Sequence, residues 1–113
     1  MMPLTSPHSP VALCAALADD TRWEILRRVG DQPRSASELA QDLPVTRQAI
    51  ARHLGILHDV GLVEQVREGR HVRYRALGAQ LTRLARDLDT IGEAWERRLD
   101  RLRTIAEERA RHD

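Results

Sequence analysis

The stretch "VTRQAIARHLGILHDVGL", from Val45 to Leu62, decides how the rest of the chain is interpreted. It predicts one amphipathic helix over residues 46–60, because both of its ends carry clear signals. Thr46 is a favourable N-cap, and Gly61 suits the left-handed residue that ends many helices. We therefore expect a short helix with well-defined bounds.

The apolar and polar faces of this helix are separate. Ile50, Leu54 and Leu57 are spaced by four and three residues, so we expect them to face a core. The outward face carries long polar side chains around two small residues, namely Arg47, Gln48, Ala51, Arg52 and Gly55. His53 lies on the flank of this face. Because small residues separate the long ones, the face suits close approach to another surface.

Two further helices are predicted upstream. "PVALCAALAD", from Pro10, predicts the first, because Val11, Leu13, Cys14 and Leu17 have near-helical spacing. "DDTRWEILRRVGD" predicts the second, which begins at an Asp cap and stops at Gly30. Its core side chains are expected to be Ile25, Leu26 and Val29. The tryptophans Trp23 and Trp95 are expected to be core or interface anchors.

A short helix directly before Val45 completes a helix-turn-helix. In "RSASELAQDLP", Ser35 and Glu38 have the spacing of a capping box. This helix shows Leu39 and Leu43 to the core and ends before Pro44. Only about three residues separate it from the next helix, which is the connection typical of a helix-turn-helix.

The segment "LVEQVREGRHVRYRAL", residues 62–77, predicts a β-hairpin. Two alternating runs lie on either side of Glu68-Gly69, which is a hairpin signal. A hairpin that follows a helix-turn-helix is a wing. Arg67, Arg70 and Arg73 lie at or near its tip.

One long helical pattern occupies residues 78–113. Its large apolar residues recur every three or four positions: Leu81, Leu84, Leu88, Ile91, Trp95, Leu99, Leu102 and Ile105. This stripe is longer than a domain of this size can cover, and exposed apolar surface costs about 25 cal/mol per Å². We therefore predict a homodimer, with the stripe from Leu81 to Leu99 at the interface.

Length and composition limit the number of domains and the expected location of the protein. The 113 residues suit one domain with one added element, so we predict an arm (1–9), a helix-turn-helix domain (10–77) and a dimerisation helix (78–113). No apolar run reaches the ~20 residues of a membrane span, and no secretory signal is visible. We expect a cytoplasmic protein without membrane contact.

The positive charge is concentrated in the middle of the chain. The net charge of the chain is only +1, but residues 47–75 hold six Arg and three acidic residues. There is no Lys in the sequence. Arginine offers a planar fork of donors that fits phosphates and guanine edges.

The order of these elements resembles the ArsR/SmtB family of winged-helix transcriptional repressors. The motifs that carry the resemblance are "ALADDTRWEIL", "SASELAQDLPVTRQAIARHLGILHDVGLVEQVREGRHVRYRAL" and the trailing helix, covering roughly residues 13–105. The resemblance implies a mainly α winged helix-turn-helix with one small β-hairpin and a long C-terminal dimerisation helix. It also implies that helix 46–60 enters the major groove and that the hairpin contacts the DNA backbone or the minor groove.

The predicted partner is a double-stranded DNA operator, read as an inverted repeat by a homodimer. Gln48 can bridge an adenine, Arg47 and Arg52 can each fork onto a guanine, and Thr46 can donate to a phosphate. For His53, a packing role is as plausible as DNA contact. The full predicted set is Thr46, Arg47, Gln48, Ala51, Arg52, His53, Arg67, Gly69, Arg70 and Arg73.

The residues do not favour a metal, a cofactor or catalysis. Metal-sensing relatives carry cysteines after a Glu-Leu pair, whereas Glu38-Leu39 is followed here by Ala40, Gln41 and Asp42. The terminal helix offers Asp87, Asp89 and Glu93, but its sole histidine is His112. Two histidines are generally wanted for a tight zinc site with oxygen partners. No phosphate loop or nucleophile motif is visible, so we expect no enzyme.

Several alternatives remain open at this stage. The fold could serve as a protein interaction module, or the regulator could respond to a metal, a thiol reaction, a small molecule or a protein effector. Cys14 is the only cysteine, and we expect it to be a small buried residue. An apolar tunnel under Trp23 or Trp95 is a further option.

Overall fold

The computed structural model describes residue 6 and residues 8–112. It contains five helices and one hairpin: α1 (Pro10–Leu17), α2 (Asp20–Asp31), α3 (Ala36–Asp42), α4 (Arg47–Asp59), β1 (Val63–Glu68), β2 (His71–Ala76) and α5 (Ala79–His112). The predicted mainly α fold with one small hairpin and a long last helix is confirmed. The arm predicted at residues 1–9 lies largely outside the described residues.

The chain divides into two compact units, residues 1–82 and 83–113. This division falls within α5, and the boundary predicted after residue 77 stays a prediction. Within the described residues, no helix has both the length and the apolar character needed to cross a membrane.

Helix α1 buries a different face from the one predicted. Leu13 and Ala16 are buried, whereas Cys14 and Val11 are exposed. The prediction that Cys14 is buried is therefore wrong. The reason is geometric, because one position on a helix corresponds to a rotation of about 100°. A helix of only eight residues gives few apolar positions to fix that rotation.

Arg22 joins the end of α1 to α2. Its Nε donates to the Ala16 carbonyl oxygen at 2.6 Å, and its Nη2 donates to that of Ala15 at 3.3 Å. The last carbonyls of a helix have no partners within the helix, and a cation there also suits the helix dipole. Arg22 therefore satisfies the C-terminus of α1 from the first turn of α2.

Helix α2 begins as predicted and ends slightly later. The Asp19 side chain accepts a hydrogen bond from the Arg22 N–H at 3.0 Å, which is the expected Asp cap. The helix passes through Gly30 and ends at Asp31, so the predicted stop at Gly30 is wrong by one residue. Gly30 does not have a positive φ, and the helix instead ends with Gln32 in extended conformation.

Helices α3 and α4 have the predicted caps. Ser35 and Glu38 form a complete capping box, and the Thr46 Oγ1 accepts from the Ala49 N–H at 3.1 Å. At the other end of α4, Gly61 has a φ of +79°. The Leu62 N–H donates to the Leu57 oxygen at 2.9 Å, and the Gly61 N–H donates to the His58 oxygen at 3.0 Å. This pair of hydrogen bonds is a Schellman motif, so the end of α4 is confirmed.

The core of the first unit is aliphatic. It is formed mainly by α2, α3, α4 and the start of β1, and its most completely buried side chains are Leu13, Ile25, Val29, Leu39, Ile50, Leu54, Leu57, Leu62 and Val63. The predicted stripe of α4 is confirmed, because its three members are all fully buried. Leu43 is only half-buried. Trp23 lies at the surface with 52% of its area exposed, so it is not a core residue.

The wing is a two-stranded antiparallel hairpin in which Glu68 pairs with His71 and Val66 pairs with Arg73. Its two-residue turn is therefore Gly69-Arg70, one position later than predicted. Gly69 has a φ of +63°, which suits the first turn position of the II′ hairpins that glycine favours.

A main-chain bridge ties the wing to the helix-turn-helix. The Arg34 N–H donates to the Tyr74 oxygen at 3.0 Å, and the Tyr74 N–H donates to the Arg34 oxygen at 2.8 Å. The outer edge of β2 is thus paired at one point with the segment that leads into α3. No local sequence pattern predicts this bridge.

The second unit consists of α5 from Arg83 onward. Six large apolar side chains between Leu88 and Ile105 are each 46–66% exposed: Leu88, Ile91, Trp95, Leu99, Leu102 and Ile105. We call this set the open stripe. Of the other residues predicted at the dimer interface, Leu84 is buried within the single chain and Leu81 is half-buried.

Candidate nucleic-acid interface

A groove runs between α4 and the wing in the first unit. It has a volume of about 950 Å³ and takes its lining from three places: the start of α3, the outer face of α4 and both strands of the wing. The lining residues include four arginines and one carboxylate, namely Arg47, Arg67, Arg70, Arg73 and Glu38. The groove is therefore a predominantly cationic surface.

The helical wall of the groove consists of predicted residues. Arg47, Gln48 and Ala51 line it and are all exposed. Thr46 lies at the exposed N-terminus of α4. Since its oxygen already accepts the capping hydrogen bond, its hydroxyl hydrogen remains free to donate. This wall can offer amide, guanidinium and hydroxyl donors to a ligand.

Two predicted residues of α4 lie outside the lining of the groove. Arg52 is exposed further along the helix. His53 is half-buried, and its Nδ1 lies 3.3 Å from the Nη1 of Arg22. Arginine can only donate, so the histidine Nδ1 accepts and its hydrogen is carried by Nε2. His53 is thus held in one tautomer by a residue of α2.

The wing supplies the opposite wall. Arg67 and Arg70 are exposed and line the groove, and Gly69 forms the turn between them. No ion pair is found for Arg67 or Arg70 within the described part of the chain. Both guanidinium groups are therefore available to an anionic partner.

Arg73 has a different environment from the other two wing arginines. It is half-buried, its Nε lies 3.2 Å from the Oε1 of Glu38, and its Nη1 lies 2.9 Å from the Oε2 of Glu68. The sequence analysis predicted all three as wing residues that contact DNA, and for Arg73 that contact stays a prediction. In the structure, the Arg73 side chain connects the wing to α3.

The capping and ion-pair contacts shift two pKa values at this junction. The backbone N–H of Ser35 and then the Arg73 side chain lower the pKa of Glu38 below its ordinary value of 4.5. The hydrogen bond to Glu38 raises the pKa of Arg73. Both groups therefore remain charged at neutral pH.

Comparison with known proteins identifies the family. A helix-turn-helix domain family matches residues 17–66. The chain is 36% identical to the HTH-type transcriptional regulator Rv2034 of Mycobacterium tuberculosis over 96 residues, which is 85% of this chain and 87% of that protein. It is 55% identical to the solved structure of an ArsR-like transcriptional regulator from Rhodococcus sp. RHA1, with a TM-score of 0.80 and coverage of 86% of this chain and 92% of the other.

The chain belongs to the ArsR/SmtB family of winged helix-turn-helix regulators. It is a DNA-binding transcriptional regulator, as the resemblance implied. A further structural neighbour in this family is the homodimeric winged helix-turn-helix DNA-binding domain from Mycobacterium bovis. That structure is 26% identical, has a TM-score of 0.60, and is matched over 74% of this chain and 77% of its own.

The groove of this ArsR/SmtB regulator also contains residues that the sequence analysis missed. They are Ala36, Ser37, Gln65, His71, Val72 and Tyr74, together with Ser35 and Glu38, which were predicted only as a capping box. Across the wing, the Gln65 Nε2 donates to the Tyr74 hydroxyl at 3.1 Å. The alternation of β1 and β2 could have placed Gln65 and Tyr74 on one face, because paired residues of a hairpin share a face.

The described part of this ArsR/SmtB regulator holds no group of three or more His, Cys, Asp or Glu side chains placed to bind a metal ion. Asp87, Asp89 and Glu93 are exposed on α5, and so is His112 near the end of that helix. Trp95 is 66% exposed.

Proposed function

We propose that this chain is a homodimeric repressor that reads an inverted-repeat operator through α4 and clamps the duplex with its wing. The observation that carries the proposal is the groove, because it combines the outward face of α4 with wing arginines that have no described ion pair. A compact dimer bound across a promoter would exclude other proteins from that DNA.

The chemistry of the two groove walls matches the two parts of DNA recognition. Phosphate contacts supply most of the affinity, whereas contacts to base edges supply sequence specificity. Arg67 and Arg70, on the wing, suit phosphates. Gln48, on the helical wall, suits an adenine edge in the major groove. Arg52, which lies beyond the groove on the same outward face of α4, suits a guanine edge.

The open stripe of α5 supports self-association. Its six members follow the three- and four-residue spacing of one helix face over about 25 Å of helix length. Burying a large aliphatic or aromatic side chain contributes about 1.5–3 kcal/mol. A second copy of α5 presents the same apolar stripe, so pairing would remove both stripes from water.

The charges of α5 favour an antiparallel pair. Residues 87–96 contain four carboxylates and no arginine, whereas residues 97–103 contain four arginines and one carboxylate. An antiparallel pair centred near Trp95 would place the acidic segment of one copy beside the basic segment of the other. A parallel pair would place like charges together, which is unfavourable.

A binding measurement with two variants tests the proposal. The wild-type protein is titrated by fluorescence anisotropy against duplex DNA from upstream of its own gene and against a random duplex. Replacing Arg52 with alanine should reduce the discrimination between the two duplexes by about 1–3 kcal/mol. Replacing Arg70 with alanine should weaken binding to both about equally and lower the slope of log K against log salt by about 0.9.

Arg27→Ala is the matched control, because Arg27 is a surface arginine of α2 that does not line the groove. It should leave discrimination unchanged. Wild-type affinity should itself fall at least tenfold between about 50 and 200 mM salt. A protein that binds neither duplex, or whose Arg52→Ala variant discriminates normally, would contradict the proposal and favour a protein interaction module.

A further inference from the structure

We propose that Arg73 is a positioning residue that braces the wing against α3, so that it sets the angle at which Arg67 and Arg70 meet DNA and does not itself contact phosphate. This inference rests on the proposed DNA-binding function of the groove.

The geometry of the contacts carries the inference. A single oxygen, Oε1 of Glu38, accepts from the Ser35 N–H at 3.0 Å and from the Arg73 Nε at 3.2 Å. The same atom therefore completes the capping box of α3 and holds the wing. The Nη1 of Arg73 donates to the Oε2 of Glu68 at 2.9 Å. Two edges of one guanidinium are thus engaged by two carboxylates on different elements.

The brace adds an attachment near the tip of the wing. The base of the wing is held by Val63, which is buried in the core, and by the main-chain bridge between Arg34 and Tyr74. The part of the hairpin beyond Tyr74 can still swing relative to α3. Arg73 is one residue closer to the tip than Tyr74, and its ion pair with Glu38 opposes that swing. The exposed tip at Gly69-Arg70 is then presented at a fixed angle to α4.

The charge balance also separates Arg73 from the clamp residues. Glu38, Glu68 and Arg73 together carry a net charge of −1, so the cluster contributes no net attraction for phosphate. Moving Arg73 onto a phosphate would leave Glu38, at the groove, and Glu68, near the tip of the wing, without their partner. Uncompensated carboxylates near a polyanion are repulsive, whereas the intact brace offsets one of the two negative charges.

A charge-matched exchange tests the brace. Arg73→Glu alone should weaken DNA binding, and adding Glu38→Arg should recover about tenfold of that loss, because the pair is restored with its signs reversed. The double variant has the same net charge as the wild type. If Arg73 contacts phosphate, the double variant lacks the cation at position 73, so the absence of recovery would overturn the brace. Glu38→Arg alone removes the cap and the ion pair together and adds a cation to the groove. It therefore shows whether an arginine at position 38 strengthens binding by itself.

A second charge-matched variant, Arg73→Met with Glu68→Gln, is tested by the salt dependence of its DNA binding. The brace predicts weaker binding with an unchanged slope of log K against log salt. A slope lower by about 0.9 would show a lost phosphate contact and overturn the inference. A wild-type protein that binds no DNA would overturn the proposed function together with the brace. Normal wild-type binding without recovery or with the lower slope would overturn the brace alone.

Discussion

The groove beside α4 and the open stripe of α5 are both exposed, but they differ in every chemical respect. The groove is lined by arginines, amides and hydroxyls, several of them held by caps and ion pairs. The open stripe consists of leucine, isoleucine and tryptophan side chains on one helix. In the proposed function, the groove contacts a polyanion and the open stripe contacts the same stripe of a second copy.

Because the groove and the open stripe differ in chemistry, DNA affinity and dimer assembly should depend on salt differently. Arginine contacts with DNA weaken with salt, because each releases counterions from the duplex. Apolar burial responds little to moderate salt, since its driving force comes from water. A dimer should therefore persist at salt concentrations that release it from DNA, and changes in either surface should produce distinguishable defects.

The largest effect is expected from breaking the open stripe. Replacing Leu88 and Ile91 with glutamate places charges within the apolar surface, so the chain should sediment as a monomer. Loss of the second half-site should reduce operator affinity on the order of 100-fold or more, because two linked sites gain from effective concentration. Analytical ultracentrifugation and anisotropy measure the two effects on the same preparations.

Thr90→Glu is the control for this experiment. Thr90 is exposed on the opposite side of α5 and bonds only to the Arg86 carbonyl of its own helix. The substitution adds a charge to the same helix but lies outside the open stripe. A Leu88/Ile91 variant that still sediments as a dimer would show that the stripe is not the interface.

A smaller effect is expected from the charges that flank the stripe. At about 100° per residue, Asp87 and Arg98 lie on one side of it, and Glu96 and Arg103 on the other. Replacing both acids with arginine should weaken the homodimer at low salt, because basic segments then meet the new arginines. Replacing both arginines with glutamate should have the same effect.

Mixing these two charge-reversed variants provides the control. One acidic and one basic chain are complementary in either orientation, so the mixture should form heterodimers more readily than either variant forms homodimers. Native mass spectrometry measures the three species. The homodimers test the orientation, because like charges would already meet in a parallel wild-type pair. Variant homodimers as stable as the wild-type homodimer would therefore contradict the antiparallel pair.

Local chemistry made the ends of the helices predictable. Thr46, Gly61 and the Ser35–Glu38 pair each satisfy backbone groups within a few residues, so the sequence carries the complete signal. The spacing of the α4 stripe likewise predicted the core face. Part of the groove lining could be predicted, because α4 and the wing each show a visible pattern. The lining from the start of α3 was missed, because its proximity to α4 and the wing depends on the fold.

Long-range contacts and short elements account for the failures. The bridge between Arg34 and Tyr74 involves a single residue, Arg34, outside the hairpin. A single residue is too short a segment to show the alternating pattern of a strand. The ion pair of Arg73 with Glu38 spans 35 positions, and an arginine at a wing tip has the same local pattern whether it is free or paired. The prediction that Cys14 is buried failed because an eight-residue helix has too few apolar positions to show which of its faces packs on the core.

The smallest expected effect is a loss of folding stability in acid at the junction between α3 and the wing. The Ser35 N–H and the Arg73 guanidinium lower the pKa of Glu38 below its ordinary value of 4.5. The ionised carboxylate therefore stabilises the folded state at pH values above 4.5, and this contribution disappears as the pH falls through the lowered pKa. The stability of the junction between α3 and the wing should therefore fall in acid because Glu38 is protonated.

Glu38→Gln tests this response, because the amide oxygen still accepts hydrogen bonds but cannot titrate. The wild type should have the larger free energy of unfolding at neutral pH, and its advantage should shrink as the pH falls below 4.5. Urea unfolding from about pH 7 to about pH 3 measures the difference. Ser37→Ala, an uncharged change at an exposed position of the same turn, should follow the wild-type profile. Because Asp19 and the other carboxylates are common to both proteins, their titration cancels, and a difference that stays constant with pH would contradict the charged role of Glu38.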